Sequence, residues 1–573
     1  MFKNLYIILV SFFSFILISA EEALPIIDYE SIHNPKISTT GMVVSQRKIA
    51  SQVGADILAK GGNAVDAAVA TGLALAVVLP RAGNLGGGGF MMVYLKDLNQ
   101  TIAIDYRERA PAAAHRDLFL DEEGNYDKKK AQFSLLSAGV PGSVAGFHLA
   151  LKNYGTMSWQ EVIAPAIELA EKGFIVPHDL ANTLALKTYR KRLSSNSAAA
   201  ASFYKKDGSL YQAGETLVQK DLAWTLQQLS EYGPDAFYEG AIAKKIVKEM
   251  ERNGGLITAE DLRSYIVAER LPVEGTYKDY KVVSMPPSSS GGIHLIQMLN
   301  MLEDFPIKSL GFGSADSIHI LAEVMKRAYS DRSKYLGDSD FYDVPSGLVS
   351  KEYAKKLNKD ISMEKRTPSS QIYAGNPLPY ESPDTTHFSV MDSFGNAVAN
   401  TYTLNFSYGS GIMIPGTGML INNEMDDFSS KPGTPNGYGL LGSEANAIEG
   451  NKRPLSSMTP TIIFKEEKPY LVFGTPGGSR IITTVLQVAL NVMTHDMNVA
   501  QAVNSPRIHH QWLPEVLMIE EGFGADTKAL LKDKGYRLYP SRTMGSVQAI
   551  MMEDGYFYGA ADPRRPSAGV VSP

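Results

Sequence analysis

Apolar and polar positions recur with two different periods along this chain, and the period changes from one part to the other. From Ser45 onward, Ile49, Val53 and Ile57 fall on one helical face until Gly61 stops the run. Asn63 caps a second predicted helix over 64–78, which is apolar on every side and is therefore expected inside a core. A glycine-rich loop, 83–89, then feeds an apolar strand over 90–95. Ser158 and Glu161 form a capping box ahead of Val162, Ile163, Ala166, Ile167 and Ala170. Amphipathic helices are predicted over 221–230 and 241–250, a short one after Thr258, and a longer one over 315–329. Toward the C-terminus the period shortens to two. Strand-like runs over 387–391 and 397–404 flank a hairpin turn at 392–396, and further pairs are predicted at 461–464 with 470–473 and at 549–552 with 556–558. A buried helix is expected over 479–492. Helices first and hairpins last imply an α+β layered fold with antiparallel sheets.

Two stretches lie outside this pattern. Residues 364–383 carry Pro368, Pro377, Pro379 and Pro383 among serines with no sustained period, and read as an exposed loop or linker. At the N-terminus, Lys3 precedes an apolar run from Leu5 to Ile18, and small residues Ser19 and Ala20 precede Glu21 and Glu22. This reads as a secretory signal peptide cut near Ala20; the run is shorter than the roughly 20 residues that span a bilayer. The expectation is an exported protein, periplasmic or extracellular, without a membrane anchor once the signal is removed.

Composition narrows the chemistry. The 573 residues include 55 Lys+Arg and 61 Asp+Glu, a net charge of −6, so no basic excess is available to neutralise a nucleic-acid backbone. The chain has no cysteine, which excludes a disulfide framework, a cysteine nucleophile and thiolate metal sites. No G-x-S-x-G or H-E-x-x-H is present, and the loop at Gly86–Gly89 lacks the Gly-Lys-Ser/Thr ending of a phosphate-binding loop, so it reads as a tight turn before a strand. His509-His510 has no acidic spacing that completes a metal site. No metal and no cofactor is expected.

The productive place is the seam after the linker, Ser382-Pro383-Asp384-Thr385-Thr386-His387-Phe388-Ser389-Val390. Threonine needs a neighbouring base to act as a nucleophile. Cleavage before Thr385 would give it a free α-amine, which titrates near ~7.7–8.0 and can act as that base. Taken alone, the dipeptide reads far better as ordinary strand composition; its surroundings change that weight. In a hairpin, alternation sets Thr401, Thr403 and Asn405 on one face beside Thr385. The run Asn422-Asn423-Glu424-Met425-Asp426-Asp427-Phe428 supplies acids that can hold an ammonium group, and Arg453-Pro454-Leu455-Ser456-Ser457-Met458 sets two hydroxyls before a strand. Gly474-Thr475-Pro476-Gly477-Gly478-Ser479-Arg480 is a glycine turn entering a helix, where backbone N–H groups suit an oxyanion.

With these motifs, and with Gly61-Gly62-Asn63-Ala64-Val65-Asp66-Ala67-Ala68 and Asp105-Tyr106-Arg107-Glu108 upstream, the sequence resembles the γ-glutamyltranspeptidases, their secreted bacterial members most of all, from about Gly41 to Asp562. The resemblance implies the four-layer αββα sandwich of the N-terminal-nucleophile hydrolases. It implies self-cleavage between Asp384 and Thr385, giving a large subunit (21–384, ending in a processing linker from about 364) and a small subunit (385–573), which stay associated non-covalently as one fold. Thr385 would attack the γ-carbonyl of glutathione or another γ-glutamyl compound, Gly477 and Gly478 would hold the oxyanion, and Thr403 would hydrogen-bond Thr385. The γ-glutamyl group would pass to water or to an amino acid or peptide. By the same resemblance, Arg107, Ser456 and Ser457 match residues that bind the substrate α-carboxylate, and Asn405, Glu424 and Asp427 match those that bind its α-amino group. Glu424 stands where some bacterial members have Gln. Tyr438 matches a lid tyrosine that closes the bacterial site and bonds the position of Asn405. Two alternatives stand beside this: a related amidase such as a cephalosporin acylase, which would not need the full amino-acid clamp, and an unprocessed homologue without activity, which would be expected to lack Thr385 or the glycine turn.

Overall fold

The computed structural model describes residues 31–375, 386–431, 433–541 and 543–573. The expected signal peptide and the Asp384–Thr385 cleavage site lie outside the described residues. The fold below is that of residues 33–573.

Two seven-stranded antiparallel sheets carry it. In space the first runs Gly569–Val571, Gly41–Ser45, Thr386–Asp392, Ala397–Thr403, Gly88–Leu95, Gln100–Tyr106, Ala268–Arg270. The second runs Lys36–Ser38, Tyr556–Ala561, Gln548–Glu553, Lys468–Gly474, Thr461–Lys465, Tyr280–Ser284, Val273–Tyr277. Strand alternation divides the side chains of the first sheet between two cores. Val43, Met91, Val93, Phe388, Val390 and Val398 face one layer of helices. Met42, Val44, Phe90, Met92, Met391 and Ala399 face the second sheet, whose far side packs on Gly291–Leu302 and Arg480–Met493. The order is helix, sheet, sheet, helix, and the expected αββα sandwich holds. Among the described residues no helix is long and apolar enough to cross a membrane.

Several predicted elements form as expected. The helix Ala64–Val78 is buried along its whole length, and Asn63 accepts from the Val65 and Asp66 N–H groups while Asp66 accepts from the Asn63 N–H. The 392–396 turn joins the strands Thr386–Asp392 and Ala397–Thr403, with Asp392 Oδ1 accepting from the Asn396 N–H at 2.9 Å.

Other expectations need correction. Ser45 does not start a helix: it ends a strand, paired with Phe388 on one side and Gly569 on the other, and the helix begins at Lys48. Ile49 on its first turn is 37% exposed, whereas Val53 and Ile57 are buried. The strands of 268–284 are missing from the sequence reading because half-buried edge positions blur the period of two. The first half of the proline-rich stretch is not a free loop: Ser369 and Ile372 are buried, and their carbonyls accept from the Trp512 indole at 2.9 and 3.1 Å.

The glycine-rich loop presses on the end of the strand that carries Thr403. A Cβ at Gly87 would lie 1.9 Å from the Thr403 carbonyl oxygen, an approach only glycine permits, and Asn84 Nδ2 donates to the same oxygen at 2.7 Å. Gly87→Ala is therefore expected to cost roughly 1–3 kcal/mol of stability by overpacking, read as a lowered midpoint of heat unfolding.

Candidate active site

Arg107 leaves the end of the strand Gln100–Tyr106 and is fully buried. Its Nε donates to the Pro454 carbonyl at 3.0 Å and its Nη2 to the Leu455 carbonyl at 3.3 Å, which sets it against the segment that continues into Ser456 and Ser457. Its Nη2 also donates to Asp427 Oδ2 at 2.6 Å, its Nη1 donates to Glu424, and Glu108 Oε2 stands 3.6 Å away. The two acids reach it together because Glu424–Asp427 is a single 3₁₀ turn, in which residues i and i+3 point the same way. Asp426 points elsewhere. It accepts from the Tyr126 hydroxyl at 2.5 Å and from the Gly437 N–H at 3.1 Å, and so ties down the loop that carries Tyr438.

One guanidinium thus faces three carboxylates in a site without solvent. Burial pushes Glu424 and Asp427 well above the ordinary carboxylate range, and Arg107 opposes the rise without cancelling it. Burial takes Glu108 up to about 7. For Arg107 burial works against the charge, but Glu424, Asp427 and Glu108 outweigh it and its pKa is raised. Among the described residues, Glu424 Oε2, Asp427 Oδ1 and Asn405 Oδ1 are buried acceptors without a donor. Such groups cost roughly 1–3 kcal/mol each when left unmatched.

Asn405 reaches this place by a turn and not by strand alternation, which corrects the expectation from the hairpin. The strand stops at Thr403, Asn405 adopts φ +71°, and its N–H donates to Thr403 Oγ1 at 2.8 Å. Its side-chain amide donates to the Asn423 carbonyl at 2.9 Å, and its own carbonyl accepts from the Tyr438 hydroxyl at 3.1 Å. Thr401 is engaged by His387, Nδ1 to Oγ1 2.8 Å, and burial holds that imidazole down at about 3, so it is neutral.

Ser456 and Ser457 are both buried. The Ser456 hydroxyl accepts from the Met458 N–H at 3.2 Å, and the Ser457 hydroxyl accepts from Arg332 Nη2 at 2.9 Å. Gly477 and Gly478 have φ of +148° and +63°, and no described residue accepts from either N–H. Their turn is the entry to the helix Arg480–Met493, so helix-end electrostatics favour an anion there. A cavity of about 420 Å³ has Thr403, Asn405, Tyr438 and Gly477 in its wall. His509 and His510 are elsewhere in function: His509 bonds Thr483 at 2.8 Å and Gln511 at 3.0 Å, and His510 accepts from the Trp512 N–H at 3.2 Å.

The structure thus brings Arg107, Glu424 and Asp427 into one buried cluster, against the segment that continues into Ser456 and Ser457, and Thr403, Asn405, Tyr438 and Gly477 around one cavity. Thr385 and Asp384 lie outside the described residues; Thr386, the next residue, pairs with Tyr402. Two charged neighbours are new. Glu108 stood in a quoted motif, where only its arginine was assigned. Arg332 comes from the distant helix Ala315–Lys334, and no local pattern marks it.

Two antiparallel sheets between helices, with a threonine strand at the centre of one, define the N-terminal-nucleophile hydrolase architecture. The comparisons agree and narrow it. The family profile described as Gamma-glutamyltranspeptidase matches residues 50–572, and the chain belongs to that family. Over 537 residues it is 55% identical to the glutathione hydrolase proenzyme of Escherichia coli (strain K12), covering 93% of this chain and 92% of that protein. The γ-glutamyltranspeptidase structure from Helicobacter pylori matches at 48% identity with a TM-score of 0.58, covering 59% of this chain and 97% of that one. The cephalosporin acylase structure from Bacillus halodurans matches at 27% identity with a TM-score of 0.85, covering 95% and 98%.

Asp426→Ala removes the acceptor shared by Tyr126 and Gly437. Amide hydrogen exchange across 433–443 is expected to quicken by about 10-fold, the loss of one hydrogen bond's worth of protection, while exchange in the two sheets stays as it was.

Proposed function

We propose that the protein is an exported γ-glutamyltransferase and glutathione hydrolase that matures by cutting itself between Asp384 and Thr385. The observation that carries this reading is the buried cluster in which Arg107 meets Glu424 and Asp427 while three acceptors, on Asn405, Glu424 and Asp427, have no donor among the described residues. A guanidinium fork suits a carboxylate, and three converging oxygens suit an ammonium. An incoming α-amino acid group supplies both charges. Its carboxylate takes Arg107, with the hydroxyls of Ser456 and Ser457, and its ammonium takes the acids that Arg107 releases, so the net buried charge does not change. A cephalosporin acylase would have no use for the acidic half of this arrangement.

The reaction follows from the residues around the cavity. In the precursor the Thr385 hydroxyl attacks the Asp384 carbonyl; the acyl group moves from nitrogen to oxygen, and water opens the ester. This frees the Thr385 amine, which titrates near ~7.7–8.0 and serves as the base. Mature Thr385 attacks the γ-carbonyl of glutathione or another γ-glutamyl compound. The oxyanion is held by the Gly477 and Gly478 N–H groups, worth roughly 10²–10³-fold in rate per donor. The amine then passes its proton to the leaving peptide. Water or an amino acid or peptide takes the γ-glutamyl group from the ester. Thr403, opposite the entry of the nucleophile strand, orients Thr385, and Tyr438 closes the site over Asn405. Residues 21–384 and 385–573 remain together without a covalent link. Support for this comes from the ladders that tie Thr386–Asp392 to Gly41–Ser45 and Ala397–Thr403 to Gly88–Leu95. The signal reading of residues 1–20 supports export, to the periplasm or beyond.

Thr385→Ala is expected to yield one uncut, inactive chain on a denaturing gel; a cut and active variant would sink the assignment. Arg107→Ala should leave self-cleavage intact and raise KM for γ-glutamyl donors by roughly 10–100-fold, the loss of charge-assisted hydrogen bonds. Glu424 and Asp427 must be ionised to hold an ammonium, so donor kcat/KM should fall as pH drops through their raised pKa values. Glu424 helps raise Asp427. Glu424→Gln should therefore move this acid limb to lower pH, measured as a pH profile of kcat/KM.

A further inference from the structure

The cavity is bordered by two unlike sets of residues. Arg107, Glu424, Asp427, Ser456 and Ser457 are buried and are not among those that line it. Beside Thr403, Asn405, Tyr438 and Gly477 its wall carries three arginines, Arg81, Arg480 and Arg565, and no Asp or Glu is among the described residues that line it. The nearest acids are committed behind the wall: Asp179 pairs with Arg47 at 2.7 Å, and Asp562 pairs with Arg507 at 2.7 Å and Arg564 at 3.2 Å. Arg81 donates to the neutral Gln46 amide oxygen at 3.1 Å, and Arg565 Nη1 to the Arg564 carbonyl at 3.2 Å. Arg565 Nε is buried with no acceptor among the described residues. Burial, and next the charge of Arg81, bring the Arg565 guanidinium down to about 10, and the pull of Asp562 and Asp179 does not offset them. Such a wall attracts an anion from the solvent side.

We propose that this arginine-lined side is the subsite for the leaving and the accepting peptide, and that it takes peptides by their free C-terminal carboxylate. This rests on the γ-glutamyl transfer proposed above. Both peptides must place an α-amine at the reacting carbonyl, between Thr403 and Gly477, and their remaining chain then extends toward the arginines. The accepting amine attacks the γ-glutamyl–threonine ester, forms the new amide bond, gives up its proton and returns the Thr385 hydroxyl. The arginines take no part in that chemistry. They fix the other end of the peptide and so raise the fraction of encounters with the amine in line. Guanidinium forks favour a planar carboxylate over a neutral amide end.

The test uses the mature enzyme with γ-glutamyl-p-nitroanilide as donor, whose leaving group bears no carboxylate. Glycylglycine and glycylglycinamide are compared as acceptors, each KM counted on the free-amine fraction. The amide is expected to show a KM roughly 10-fold higher. In Arg81→Gln the KM for glycylglycine should rise until the two acceptors are alike, and Arg81→Lys should restore part of the difference. Equal KM values in the wild-type enzyme, or an equal loss for both acceptors in Arg81→Gln, would overturn the inference and leave γ-glutamyl transfer standing. Failure of the wild-type enzyme to release p-nitroaniline would overturn both.

Discussion

The pairing of Thr386–Asp392 with a strand on each side is the constraint on which the rest depends. Its partners come from opposite ends of the chain order, Gly41–Ser45 before it and Ala397–Thr403 after it. The backbone at Thr386 is therefore fixed by a ladder that does not need the peptide bond upstream of Thr385. That is the condition for a chain to be cut at the start of a strand and still keep the new end in place. The cores on the two faces reinforce it, with Phe388 and Val390 pointing to the helices and Met391 to the second sheet.

Around that fixed point the site is assembled from backbone as much as from side chains. Thr403 is held by the glycine loop through its carbonyl, and its hydroxyl caps the turn at Asn405. Tyr438 closes on the Asn405 carbonyl, and its loop is tied to Asp426. The 3₁₀ turn at 424–427 separates two roles that the sequence runs together: its ends serve the charge cluster and its middle ties the loop that carries Tyr438.

What could be read in the sequence follows from how local the cause was. The helix Ala64–Val78 was legible because its cap and its apolar surface are written within sixteen residues. The 386–403 hairpin was legible from its turn. The candidate site residues stand out in the sequence as motifs, and the roles proposed for them come by resemblance, since one arginine or two serines alone say little. What was illegible is long-range: Asn84 meets Thr403 across 319 positions, and Arg332 meets Ser457 across 125. Strand Gly41–Ser45 went unread because five residues buried on both faces have no period to show.

The mutual bonding of Arg107 with Glu424 and Asp427 has one more effect. On the proposed reading the three groups already act as a stand-in for the substrate's own pair of charges. A visitor that brings only an anion, such as a glutaryl chain, would detach the arginine and strand two carboxylates out of water. A visitor that brings only a cation would have to prise the acids from their partner with nothing to offer it. On that reading the lock is a swap of partners, and only a molecule carrying both charges on one carbon completes it without leaving a debt of unpaired charge.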